Sequence, residues 1–191
     1  MFQHPNLLTQ FKKLYEDTAN THAKNAQMSE EQFKKELAAN FLIEIGMGID
    51  KGLRQYRDPS VIQYLLSFQP NVNITNYKEN NGRTPLSCFA EIGNVAIAKM
   101  LIDAGADVNL AQSQWTPLHY AIRSKNTDVA RLILEKNPDL TVQITQYNHK
   151  SNPKESKNLV QFCEDWEAPE ELKTLIQEAV NRSMMTVKPQ K

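Results

Sequence analysis

The sequence predicts an all-α fold: a solenoid of helix–turn–helix units with projecting hairpin fingers, preceded by a helical extension. Two observations carry this. "GRTPLSCFAEIGNVAIAKMLIDAGADVN" (82–109) is followed by "WTPLHYAIRSKNTDVARLILEKNPDL" (115–140), and the two stay in register. Thr84 meets Thr116, 32 positions on, and Pro85 meets Pro117, Leu86 Leu118, Leu101 Ile133 and Asp107 Asp139. Such a fixed period points to stacked units that bury their apolar faces against one another. Within each copy, the apolar residues recur at helical spacing.

The elements of one unit follow in order. Threonine is a good N-cap, and the proline after it occupies the turn where its missing N–H costs nothing. Leu86, Phe89 and Ala90 then share one helical face, as do Leu118, Ala121 and Ile122. Gly93 suits the left-handed residue that ends a helix. "VAIAKMLIDA" forms a second helix with Val95, Ile97, Ala98, Leu101 and Ile102 inward, ended in the same manner at Gly105. "ADVN" leads into a polar finger before the next threonine.

"GRTPLS" with "DAGADVN", and "WTPLHYA" with "ARLILEKNPDL", resemble ankyrin repeats, whose period is about 33 residues. Near-complete matches cover 79–141. Ser87 stands where the family has the histidine that His119 supplies, which implies a weaker helix-to-hairpin network in the first copy. Lys125 and Asn137 replace the two turn glycines of the second copy; asparagine tolerates a left-handed backbone better than lysine.

Two units cannot bury their faces unaided, so the flanks should hold degenerate repeats or caps. "SVIQYLLSFQPNVNI" aligns with "NVAIAKMLIDAGADVNL" at an offset of 36, behind a helix expected around "GIDKGLRQY" that has lost its TPLH. "SKNLVQFCEDWEAPEELKTLIQEAV" keeps Leu159, Phe162, Leu172, Leu175 and Ile176 at helix-pair spacing. The expected organisation is an N-terminal helical extension at 1–47, a degenerate first repeat at 48–78, and repeats at 79–111 and 112–143. A degenerate capping repeat at 144–182 and a flexible tail at 183–191 complete it. In the extension, Leu7, Leu8, Phe11, Leu14 and Tyr15 form one stripe. Phe33, Leu37, Phe41 and Ile45 form another behind the capping signal "SEEQ". The pair either packs on the first repeat or serves as a separate partner-binding helix.

Composition limits the function classes. Lysine plus arginine and aspartate plus glutamate balance at 22 each, so nothing supports a general affinity for nucleic acid or anionic lipid. No run approaches the roughly 18 consecutive apolar residues of a membrane span. The N-terminus lacks a secretory pattern, and two distant cysteines suit a reducing compartment. A soluble, cytoplasmic protein, monomeric and without cofactor, is the expectation.

Chemistry has little to stand on. His4, His22, His119 and His149 form no metal-ligand spacing, and no phosphate loop or nucleophile elbow is present. His119 belongs to a TPLH turn and is expected to be structural. A Cys88–His119 nucleophile pair across the stack is the enzymatic alternative. Cys88 reads more simply as a small buried apolar group.

The resemblance implies that a partner protein is bound by the fingers and the exposed face of the first helices, with no catalysis. Carried over by position, the candidates are Asn81, Arg83, Glu91, Ile92 and Ala104 in one unit, and Ser113, Trp115, Arg123, Ser124 and Lys136 in the next. Trp115 serves either as an exposed anchor or as a cover for the neighbouring finger, with Tyr77 and Tyr120 as lesser additions. Asn109, behind "LIDAGADV", resembles the asparagine that eukaryotic asparaginyl hydroxylase modifies in this family. The small array and its asparagine- and lysine-rich wording resemble bacterial ankyrin proteins, including effectors delivered into host cells. An inhibitor or immunity protein that occludes a toxin or enzyme is the alternative role, with Glu91, Glu164 and Asp165 imitating a substrate.

Overall fold

The structure is a computed structural model, described here for residues 5–23, 28–48, 51–75, 82–110, 115–144 and 156–186. Among these residues the regular secondary structure is helical, joined by turns and short loops. The helices are α1 (Pro5–Ala23), α2 (Glu30–Met47), α3 (Pro59–Leu66), α4 (Pro85–Ile92), α5 (Val95–Asp103), α6 (Pro117–Arg123), α7 (Thr127–Leu134), α8 (Leu159–Asp165) and α9 (Glu170–Thr186). Helices α2, α4, α6 and α8 stack as one row, and α3, α5, α7 and α9 as a second row behind it. This is the stacked hairpin architecture that the period implies.

Two corrections concern the first unit. "GIDKGLRQY" does not supply its first helix: Leu53–Tyr56 is a single 3-10 turn. That place in the row is filled by α2, which packs directly on α4. The extension at 1–47 is therefore built into the stack, and α1 lies against α2 and α3. Phe11 and Tyr15 are fully buried there among Phe41, Tyr56, Tyr64 and Phe68. The Tyr15 hydroxyl donates to the Lys34 carbonyl at 2.5 Å. Leu14, placed on the same stripe by its spacing, is exposed.

The close approach of α2 to α4 requires Gly46. A Cβ there would lie 2.8 Å from the Cys88 Cβ. Helix α2 is capped by Ser29, whose hydroxyl accepts from the Gln32 N–H, and its C-terminal carbonyls receive arginine donors. Arg57 donates to the Ile45 and Gly46 carbonyls at 3.0 and 2.9 Å, and Arg54 to that of Gly48 at 2.8 Å.

The backbone keeps the repeat register where the side chains have lost it. Left-handed residues follow the first-row helices at Gly48, Gly93, Lys125 and Glu167, and the second-row helices at Gln69, Gly105 and Asn137. Lys125 and Asn137 thus carry the strained geometry for which glycine is suited. Neighbouring units are also tied together. The Asn126 amide donates to the Ala90 and Glu91 carbonyls at 3.0 and 2.8 Å.

The core runs through Leu86, Phe89, Leu118, Ile122, Leu159 and Phe162 of the first row and Ile62, Leu65, Ile97, Leu101, Ile133, Leu172 and Ile176 of the second. Val95, assigned inward by spacing, is instead exposed at the start of α5, and Ile102 is half-buried. The C-terminal boundary also moves, because α9 continues through Thr186 and takes in the first residues assigned to a tail. Most of the expected fingers, and the polar loop from 145 to 155, lie outside the described residues. At the base of the last finger, Ile144 and Lys157 form an antiparallel bridge. No described helix is long and apolar enough to cross a membrane.

Candidate functional site: a cation and aromatic ridge along the first helices

The repeat period explains why particular side chains meet. Arg83 and Trp115 occupy the same position of successive units, just before the N-cap threonine. Glu91 and Arg123 share another, eight residues later at the end of the first helix. In the capping unit those two positions are Lys157 and Asp165, since Asn158 caps α8 as Thr116 caps α6. Stacking therefore sets three i,i+8 pairs side by side.

Each pair is made. Arg83 binds Glu91 through its guanidinium, and Lys157 binds Asp165 at 2.6 Å. In the middle unit the guanidinium of Arg123 lies 5.2 Å from the Trp115 ring centroid. Links also cross between units. Arg123 reaches back to the same Glu91, so one carboxylate serves two guanidiniums. The Tyr120 ring lies beneath both, 4.7 Å from Arg83 and 5.3 Å from Arg123. Trp115 packs edge-on to Phe162 of α8 and to Trp166, the residue that caps its C-terminus, with centroids 5.3 and 6.3 Å away. Trp115 is half-buried over its own Tyr120 and the next unit's first helix, and is not an isolated anchor at a finger tip.

The ridge is fixed yet accessible. The Arg83, Arg123 and Glu91 side chains remain 23%, 23% and 29% exposed. Cation–π contacts and the shared Glu91 carboxylate hold the two guanidiniums, which lowers the ordering cost of binding through them. Of the other candidates, Ile92 is exposed and Ser124 half-buried at the ends of α4 and α6. Ala104 and Lys136 are exposed at the ends of α5 and α7 in the second row and do not belong to the ridge. Asn81, Ser113 and Tyr77 lie outside the described residues. Sequence reasoning missed Lys157, Phe162 and Trp166 as site residues. The usable signal was the Asn158–Gln161 capping box, which repeats Thr116–His119 at a longer offset.

His119 is structural. Its Nδ1 accepts from the Thr116 N–H at 3.2 Å and lies 2.8 Å from the Thr116 hydroxyl. Its ring stands edge-on to Phe162. Burial disfavours the imidazolium and drives the pKa down to about 3. In the preceding unit Ser87 replaces this ring with a smaller link, its hydroxyl 3.0 Å from that of Thr84. Cys88 is buried, and desolvation pushes its thiol up to about 12. A protonated thiol and an imidazole that does not take up a proton at neutral pH are poorly suited to act as nucleophile and base.

Asn109 belongs to a ladder that joins the fingers. Its N–H donates to the Asp107 carboxylate at 2.8 Å, and its Oδ1 accepts from the Asp139 N–H at 2.7 Å. Asn73 makes the equivalent bond to the Asp107 N–H at 2.8 Å.

Comparison with known proteins agrees with this architecture. A family model described as ankyrin repeats, in three copies, matches residues 53–144. Among curated proteins, the chain is 29% identical over 86 residues to a probable 26S proteasome regulatory subunit p28 of Saccharomyces cerevisiae. That alignment covers 44% of this chain and 38% of the relative. It is 33% identical over 79 residues to the NF-kappa-B inhibitor cactus of Drosophila yakuba, covering 40% of this chain and 16% of the relative. It is 37% identical over 71 residues to the transient receptor potential channel pyrexia of Drosophila melanogaster, covering 36% and 7%. The chain thus spans well under half the length of each relative. Ankyrin repeats are protein-interaction modules, and residues 53–144, the centre of the stack, match that family.

Proposed function

We propose that this chain is a non-catalytic module that binds a partner protein across its first helices and finger bases, and that it acts by holding or occluding that partner. The observation that carries this reading is the ridge from Arg83 through Tyr120, Arg123 and Trp115 to Trp166, which spans three successive units. Arginine, tyrosine and tryptophan dominate the energetics of protein interfaces. The occluding role is supported by the relative whose name marks it as an inhibitor. The test is affinity capture with the wild-type chain, Arg83→Ala and Trp115→Ala. A partner held by the wild type should weaken on both variants, by ~2 kcal/mol for the tryptophan. Equal capture by all three would place the binding surface elsewhere.

Asn109 is also proposed as a hydroxylation site, on its exposed position beside Asp107. An unshifted mass of the Asn109 peptide after incubation with active asparaginyl hydroxylase would contradict that.

A further inference from the structure

The ridge has an internal order that specifies the chemistry of its ligand. Its finger-base row reads Arg83, Trp115, Lys157: cation, indole, cation, one per unit. Its helix-end row reads Glu91, Arg123, Asp165, and the two carboxylates there are bound to the cations beside them. Among the described residues of the two rows, three cations stand against two anions, and both ends of the finger-base row are cationic. The middle is aromatic, with Trp115 and Trp166 both half-buried.

Stacked helices lie about 8–10 Å apart. An extended chain advances about 3.3 Å per residue. A segment laid along the row therefore passes one unit for about every three of its own residues. Resting on the proposed binding role of this surface, we infer that the partner presents an extended segment with an acidic residue, an apolar residue about three positions later, and a second acidic residue about three positions after that. The outer carboxylates would meet Arg83 and Lys157, and the apolar side chain would cover the exposed part of the Trp115–Trp166 pair. Arginine's planar fork suits a carboxylate, and Tyr120 already holds that of Arg83 in place. Glu91 and Asp165 act as internal competitors that keep the cations oriented until a partner carboxylate arrives.

The test is selection of binders from a genetically encoded library of random twelve-residue peptides on the full chain. The recovered peptides should be enriched in Asp or Glu at two positions about six apart, with an apolar residue between them. Their affinity should fall about tenfold or more on the Arg83→Gln/Lys157→Gln double variant and weaken further with added salt. Glu91→Gln, which removes a competing carboxylate and keeps every cation, should bind the same peptides several-fold more tightly. That opposite sign separates partner recognition from a general loss of folding. Selected peptides without acidic enrichment, but sensitive to Trp115→Ala, would overturn this inference and leave the binding surface standing. Peptides insensitive to every ridge substitution, or no peptides at all, would overturn both.

Discussion

The Oδ1 of Asn109 accepts the backbone N–H of Asp139 at 2.7 Å, across 30 positions of sequence. It is one rung of a chain of bonds. Asn71 accepts from the Asn73 N–H, Asn73 from that of Asp107, Asp107 from that of Asn109, and Asp139 from the Thr141 N–H and hydroxyl. Thr141 stands where Asn73 and Asn109 stand in their units. Its hydroxyl donates back to Asp139 at 2.6 Å rather than reaching onward. Asn109→Ala should therefore cost about 1 kcal/mol, the net value of one such bond. Hydrogen exchange should rise at the Asp139 amide while the α2–α4 core keeps its protection.

Acid should destabilise the protein through His119. The imidazole titrates at about 3 in the folded chain and near the ordinary 6.5 when unfolded. Between those values the unfolded state binds the extra proton, so stability falls as pH drops. The loss from this residue should reach about 2 kcal/mol between pH 7 and 5. His119→Gln should keep the cap, as Gln161 does for Asn158, and flatten that part of the profile in urea titrations.

Lys125 occupies a left-handed position with φ 60° where Gly93 does so in the preceding unit. A Cβ there costs about 1–2 kcal/mol, partly offset by the greater freedom glycine gives the unfolded chain. Lys125→Gly should stabilise the protein by up to ~1 kcal/mol, read as a higher urea midpoint at unchanged slope.

Gly46→Ala should act in the opposite direction. The added methyl meets the Cys88 Cβ at 2.8 Å and the Phe89 ring at 3.3 Å, both in the core. Overpacking of this kind costs about 1–3 kcal/mol, and a lowered midpoint would confirm that α2 is an integral first-row helix.

The TPL phrases, their helical faces and the turn glycines were readable because each states a local requirement of the backbone. Thr84 does cap α4 and Gly93 does end it. The first unit was misplaced because its first helix, α2, carries neither a TPL start nor the spacing of the others. Only its left-handed Gly48 and its contact with α4 reveal the register. The ridge was half readable. Arg83, Glu91, Trp115 and Arg123 follow from position alone, but their pairing depends on which units stack. Lys157 and Trp166 were hidden behind an insertion that lengthens the offset to the capping unit.

The most direct measurement of the proposed binding surface is a nitrogen-15 NMR titration of the full chain with a captured partner or selected peptide. The indole N–H signals of Trp115 and Trp166 and the Arg123 side-chain signal should shift together at the lowest additions. Still indoles, with shifts confined to the groove that Leu134, Leu140, Leu175 and Ala179 line between α7 and α9, would contradict the account.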